Sequence, residues 1–146
     1  MPADERNNVL SLTSPSDLRV LPVVRALVQV AGQLAGLSEQ RSYEAVVAIN
    51  EACSNVIHHA HHDDRDFPLT VACRVVDDGL EITLCDQGSP FDFEAVPDLD
   101  PTEIRAGGRG VYLIRRLMDK VTSTRLEQGG NELRMFKRTA APTAAG

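Results

Sequence analysis

Two side chains in the stretch NEACSNVIHHAHHDDRDFP, residues 50–68, can do oxygen-based chemistry together: Glu51 and Asn55. Four residues apart on a helix, they share one face a turn apart. A carboxylate there can serve as a general base, and an amide oxygen can ligate a hard cation such as Mg²⁺. The same stretch holds every histidine of the chain, His58, His59, His61 and His62. His58 and His62 stand at i and i+4, yet a zinc site needs at least a third ligand and no HExxH pattern occurs. Cys53 projects to the apolar side of the helix instead. Cationic imidazole near a helix C-terminus is favourable in itself, so the histidines read as bystanders of a site built around Glu51 and Asn55.

Two further groups lie downstream. Asp86-Gln87-Gly88 ends an apolar alternation, which puts Asp86 at a strand end. A carboxylate at a pocket edge can accept a hydrogen bond from an exocyclic amine, and glycine lets a flat ring approach the backbone. Gly107-Gly108-Arg109-Gly110 then precedes a helical apolar period. Closely spaced glycines at a helix start offer backbone N–H groups and the positive dipole end to an anion. This is neither a Walker A loop, since no Gly-Lys-Ser/Thr occurs, nor a Rossmann fingerprint, since no strand immediately precedes it. Arg105 and Arg109 are candidate phosphate charges, with plain surface arginines as the alternative. Singly, each group also fits a solvated helix face, a turn or a linker.

The elements that must position these residues follow from the apolar periods. Residues 8–13 alternate as an edge strand does. An apolar-rich helix is predicted over 18–37, with Pro22 either in its first turn or kinking it and Gly36 as the stop. A second helix begins after Ser38 as N-cap; Val46, Ile49, Cys53, Val56, Ile57 and Ala60 fall on one side. Glu51, Asn55, His58 and His62 fall within about 60° of each other on the opposite side. Leu69, Val71, Cys73 and Val75 alternate, Asp78-Gly79 makes a tight turn, and Leu80, Ile82 and Leu84 alternate again: a hairpin. Residues 89–105, broken by Pro90, Pro97 and Pro101, read as a lid or binding loop. A helix over 107–121 and a hairpin turning at Gly129-Gly130 complete the order. The expected domain covers 8–138, between a disordered lead (1–7) and a flexible tail (139–146).

Composition narrows the class. At 146 residues, 42% hydrophobic and 25% charged, one soluble globular domain is expected. A formal net charge of −6 argues against a broadly basic nucleic-acid surface. The three cysteines form no CxxC and read as buried free thiols of a reducing compartment. No signal-peptide core opens the sequence and no apolar run approaches the ~20 residues of a membrane span, so a cytoplasmic protein is expected.

In order, NEACSNVIHHA, DQGSPFDF and GGRGVYLIRRLMDKV followed by GGNELRMFKR resemble the N, G1 and G2 boxes of the GHKL (Bergerat-fold) ATP-binding superfamily. They are most similar to its anti-sigma factor serine-protein kinase branch, over nearly the whole chain. The resemblance implies an α+β two-layer sandwich, a mixed and mostly antiparallel sheet covered on one face by helices. It implies ATP and Mg²⁺ as cofactors, Glu51 as the catalytic glutamate and Asn55 as the magnesium ligand. Asp86 matches the adenine-reading aspartate, with Gly88 beside it. Gly107, Gly108, Gly110 and Val111 fall in the box whose backbone meets the phosphates. His59 matches a histidine with a packing or hydrogen-bonding role. After Gly129-Gly130 the family usually carries a threonine near the adenine; here Asn131 stands there, able to donate and accept hydrogen bonds. Ser89-Pro90 replaces a second G1 glycine of many relatives. The implied function is a protein serine kinase that binds a sigma factor and phosphorylates a STAS-domain antagonist, as a homodimer. The alternative is a nucleotide-binding interaction module with little kinase activity. A detached ATPase domain of a sensor histidine kinase is disfavoured, because no phospho-acceptor helical hairpin is seen ahead of the domain.

Overall fold

A computed structural model describes residues 9–97 and 109–140. The chain runs β1 (Val9–Pro15), a 3₁₀ turn (Leu18–Val20), α1 (Leu21–Leu34), α2 (Glu39–Asn55) and a π-helical turn (Val56–Ala60). Then come β2 (Pro68–Val76), β3 (Gly79–Asp86), a 3₁₀ turn (Phe93–Ala95), α3 (Arg109–Leu117), β4 (Lys120–Arg125) and β5 (Asn131–Arg138). The five strands form one sheet in the order β1-β2-β3-β5-β4, and every pairing is antiparallel. The sheet is therefore antiparallel throughout the described residues, not mixed. β1 is an edge strand as its alternation predicts.

Helix boundaries follow local chemistry. Asp17 caps the 3₁₀ turn by accepting from Arg19 N, and Pro22 sits in the first turn of α1, where its missing N–H costs nothing. The open choice for Pro22 thus resolves to a helix start. Gly36 adopts φ +84°, a conformation that terminates a helix at little cost only for glycine. Ser38 Oγ accepts from Arg41 N at 3.1 Å and starts α2.

One face of the sheet is dry. Leu69, Val71 and Cys73 on β2, Leu80, Ile82 and Leu84 on β3, and Met135 on β5 are buried against Val24, Val28 and Ala31 of α1 and Ala45, Ala48, Ile49 and Ala52 of α2. The neighbouring residues on each strand, such as Thr70, Glu81 and Arg134, are half-buried or exposed, the period-two signature of a one-sided sheet. Small alanines on α2 let the helix lie close to its neighbours. Val46 and Val56, expected inside, are only half-buried. Lys137 turns inward: its Nζ donates to Glu44 Oε2 (2.8 Å) and to Leu117 O at the end of α3. That hydrogen bond holds the Glu44 carboxyl below its usual range. Cys53 and Cys73 are buried, and burial pushes both thiols up to about 12, so neither is a nucleophile at neutral pH. Ile82 is 0% exposed at the sheet centre. Ile82→Ala should lower stability by about 2–5 kcal/mol. Denaturant titration reads this as a lower midpoint at unchanged slope; a loss under about 1 kcal/mol would contradict the tight packing.

The last helix ends earlier than its apolar period suggests. α3 stops at Leu117, and Val121, read as helical, lies in β4 opposite Met135. Asp119 N donates to Phe136 O (2.9 Å), which draws the chain into the sheet. Tertiary pairing overrides the helical period here.

Candidate functional site

α2 carries the first two candidate residues, and α3 packs across them. Gly110, in the first turn of α3, lies directly over both. A Cβ built there would stand 3.1 Å from Glu51 Oε2, 3.1 Å from Asn55 Nδ2 and 3.3 Å from Asn55 Oδ1. Any larger residue there would press on both side chains, which would have to yield by a few tenths of an ångström. The donor set is a carboxylate and an amide oxygen with a helix start beside them, which suits Mg²⁺ and a phosphate chain.

A pocket opens next to this pair, lined by Ala52, Asn55, Asp86, Phe91, Ile114 and Asn131 among others. Its walls join apolar side chains to a few polar ones, Asn55, Asp86, Ser123, Asn131 and Glu132, a mixture that suits a flat heterocycle with polar edges. Asp86 is 5% exposed at the end of β3. Its Oδ1 accepts from Gly88 N (2.8 Å) and from Asn131 Nδ2 (3.0 Å). Asn131 also donates to Ser89 O (2.8 Å) and accepts from Phe91 N (3.2 Å). One asparagine thus ties the strand end to the segment that follows it, and an amide has the donors and acceptor to do so. Glycines permit the close packing. A Cβ on Gly88 would meet Ala60 O and stand 2.7 Å from His61 Cδ2; one on Gly130 would meet Asp86 O.

The Histidine kinase-like ATPase domain family matches residues 14–137. The chain belongs to that family. Two curated relatives are serine-protein kinases RsbW. The one from Bacillus velezensis is 29% identical over 120 residues, covering 77% of this chain and 75% of its own. The one from Staphylococcus epidermidis is 29% identical over 122 residues, covering 77% of each. Among solved structures, the RsbU and RsbW domains of a Mycobacterium tuberculosis protein superpose with a TM-score of 0.63 at 16% identity. That match covers 89% of this chain but 31% of the other, so it speaks for the fold alone.

Within this histidine kinase-like ATPase domain, the structure brings Glu51, Asn55 and Gly110 together at one end, and Asp86, Gly88 and Asn131 at the other. Arg109 is exposed on the first turn of α3, whereas the Val111 side chain is buried in the core. Only the Val111 backbone is therefore placed to meet a ligand. Arg105, Gly107 and Gly108 lie outside the described residues, as does the 89–105 lid beyond residue 97.

The histidines divide differently from expectation. His59 is exposed, whereas His61 is the buried one. On an unbroken α-helix both would flank the apolar face. The π turn, with His61 N donating five residues back to Val56 O (2.9 Å), lags behind about 100° per residue. That lag swings His61 in and His59 out. His58 Nδ1 pairs with Asp63 Oδ1 (2.8 Å), and His62 Nε2 lies 3.4 Å from Ser89 Oγ. The exit is tight: His62 and Asp63 take φ of 51° and 62°, uncommon for residues other than glycine. Among the described residues no group of three or more His, Cys, Asp or Glu side chains is placed to hold a metal ion.

Four contributors, Arg125, Phe91, Phe93 and Arg115, carry no mark in the sequence reading. Arg125 Nη1 donates to Gly88 O (2.8 Å) and lies 3.4 Å from Asn131 Oδ1, clamping the pocket rim. Phe91 and Phe93 line the pocket, and Arg115 Nη2 donates to Phe93 O (3.0 Å) while its guanidinium lies 5.1 Å from the Phe93 ring centroid. The spacing of Phe91 and Phe93 after Asp86 was the available signal for the aromatic pair. Nothing local announces Arg125, which acts across the β4–β5 hairpin.

Proposed function

We propose that this chain is an ATP-dependent protein serine kinase. In this reading it binds a sigma factor and phosphorylates a serine of a STAS-domain antagonist, switching between the two partners. The observation that carries the reading is the placement of Glu51 beside Asn55 under the start of α3. A module that only bound nucleotide has no use for a carboxylate at that point.

Residues 8–138 form the ATP-binding unit of the proposal. Asp86, with Gly88 and Asn131, holds the adenine, and Phe91 and Ile114 cover its faces. Asn55 offers its amide oxygen to Mg²⁺; the start of α3, with Gly107, Gly108, Gly110 and the Val111 backbone, holds the phosphates. Arg105 and Arg109 supply positive charge there. The bound Mg-ATP provides the transferable phosphoryl group and neutralises its charge. Glu51 orients the attacking serine hydroxyl and accepts its proton, in a reaction where positioning does most of the work. The relatives' designation as serine-protein kinases supports this assignment.

A homodimer and a cytoplasmic location complete the reading. Val23, Val30 and Leu34 make an exposed apolar stripe along α1, and Val9 and Leu10 are exposed on the β1 edge, both of which favour a protein partner. No helix among the described residues is long and apolar enough to cross a membrane.

The test is incubation with γ-labelled ATP and the cognate antagonist. Label should appear on one serine of the antagonist. Tight Mg-ATP binding without any transfer would instead support a nucleotide-gated interaction module.

A further inference from the structure

Beside Asp86, outside the lining of the pocket, sits an imidazole that the proposed kinase chemistry does not use. His61 is 1% exposed, and its ring stacks on Phe67 with centroids 5.1 Å apart and planes inclined by 20°. Its Nδ1 hydrogen-bonds Ser16 Oγ, which comes from the turn after β1 and is itself 2% exposed. Its Nε2 is buried with no hydrogen-bond partner among the described residues and lies 3.8 Å from Asp86 Oδ1. A buried polar atom left unpaired is costly, so its placement against a carboxylate calls for a reason.

The tautomer follows from the surroundings. A lone pair on Nε2 facing the carboxylate would be repelled, whereas an N–H there is attracted. The proton therefore belongs on Nε2, and the Ser16 hydroxyl donates to Nδ1. Burial lowers the pKa of His61, against the opposing pull of Asp86 and Asp64, which keeps the ring neutral near pH 7. The result is a line of donors from Ser16 through His61 toward Asp86 Oδ1. Gly88 N and Asn131 Nδ2 already converge on the same oxygen. Two hydrogen bonds thus hold Oδ1, the His61 Nε2–H faces it from 3.8 Å, and Oδ2 has no hydrogen bond among the described residues.

We propose that His61 is a positioning residue for purine-base readout. Its buried Nε2–H orients Asp86 Oδ1 so that Oδ2 faces the exocyclic amine of adenine, and Ser16 fixes the tautomer that does so. This rests on the nucleotide reading above. It also ties the β1–α1 turn to base recognition on the far side of the π turn.

The experiment measures Mg-ATP and Mg-GTP affinities by calorimetry on the full chain. His61→Phe keeps a ring to stack on Phe67 but removes both nitrogens. It should weaken ATP about five- to tenfold while leaving GTP within about twofold, so the preference narrows. His61→Gln, whose amide can reach the Nε2 position, should restore most of the preference. Ser16→Ala should narrow it in the same direction by about two- to threefold, and serves if His61→Phe melts early. In an Asp86→Asn background, His61→Phe should change the ATP-to-GTP ratio by less than about twofold, because the group it orients is gone. Equal loss of both nucleotides, or an unchanged ratio in both His61→Phe and Ser16→Ala, would overturn the positioning role and leave the nucleotide reading standing. Failure of the wild type to bind Mg-ATP would overturn both.

Discussion

Asp86→Asn should weaken Mg-ATP binding by about ten- to a hundredfold and move base preference toward a guanine nucleotide. The geometry sets the direction. Asp86 Oδ1 is held by Gly88 N and Asn131 Nδ2, so an asparagine keeps its carbonyl oxygen on that side. Its NH₂ then points into the pocket, where the carboxylate had offered an acceptor. A donor now faces the exocyclic amine of adenine, another donor, while the 6-carbonyl of guanine would be matched. A site built on hydrogen bonds discriminates strongly when one partner's polarity is reversed. Calorimetry with both nucleotides checks this, alongside a melting curve that reports whether the variant is folded. Unchanged ATP affinity in a folded Asp86→Asn protein would remove Asp86 from the base-reading role.

The second large effect belongs to Glu51→Gln. Phosphoryl transfer to the antagonist serine should fall by about 10²–10⁴-fold, the usual worth of a positioned general base. Mg-ATP affinity should stay within about threefold, since the amide keeps the shape under Gly110 and Asn55 remains. Single-turnover transfer with labelled ATP separates the two quantities. Transfer within a few-fold of wild type would exclude Glu51 as the base and leave its place beside Asn55 without a chemical role.

Both predictions draw on residues that the sequence already marks, but their relation is a tertiary fact. Glu51 and Asn55 share a face because four residues make about one helical turn. Nothing within residues 50–68 says that Gly110 packs over them so closely that a Cβ added there would stand 3.1 Å from Glu51 Oε2. The hairpins were legible for a similar local reason. Asp78-Gly79 and Gly129-Gly130 supply turns between alternating strands, and both hairpins form with the strands paired antiparallel. Gly36 and Ser38 likewise marked a helix stop and start through their own backbone and side-chain chemistry.

Where reading the sequence fell short, a distant partner was responsible. Val121 carries the helical period yet joins β4, because β5 offers it a strand to pair with. Lys137 is charged yet 3% exposed, because Glu44 and the end of α3 meet it inside. His59 carries the expectation of a packing or hydrogen-bonding role, yet it is exposed, and the π turn buries His61 instead.

The sequence by itself therefore determined the inventory of this protein: a glutamate and an asparagine on one helix face, a carboxylate at a strand end, and a glycine-rich run ahead of a helical period. It also determined the alternation that makes a one-sided antiparallel sheet. Tertiary structure alone decided which of four adjacent imidazoles faces Asp86, which strand captures Val121, and that Asn131 and Arg125 close the pocket rim. Local periods register only neighbours within a turn or a pleat. These outcomes depend on hydrogen bonds between segments tens of residues apart, which no local pattern records.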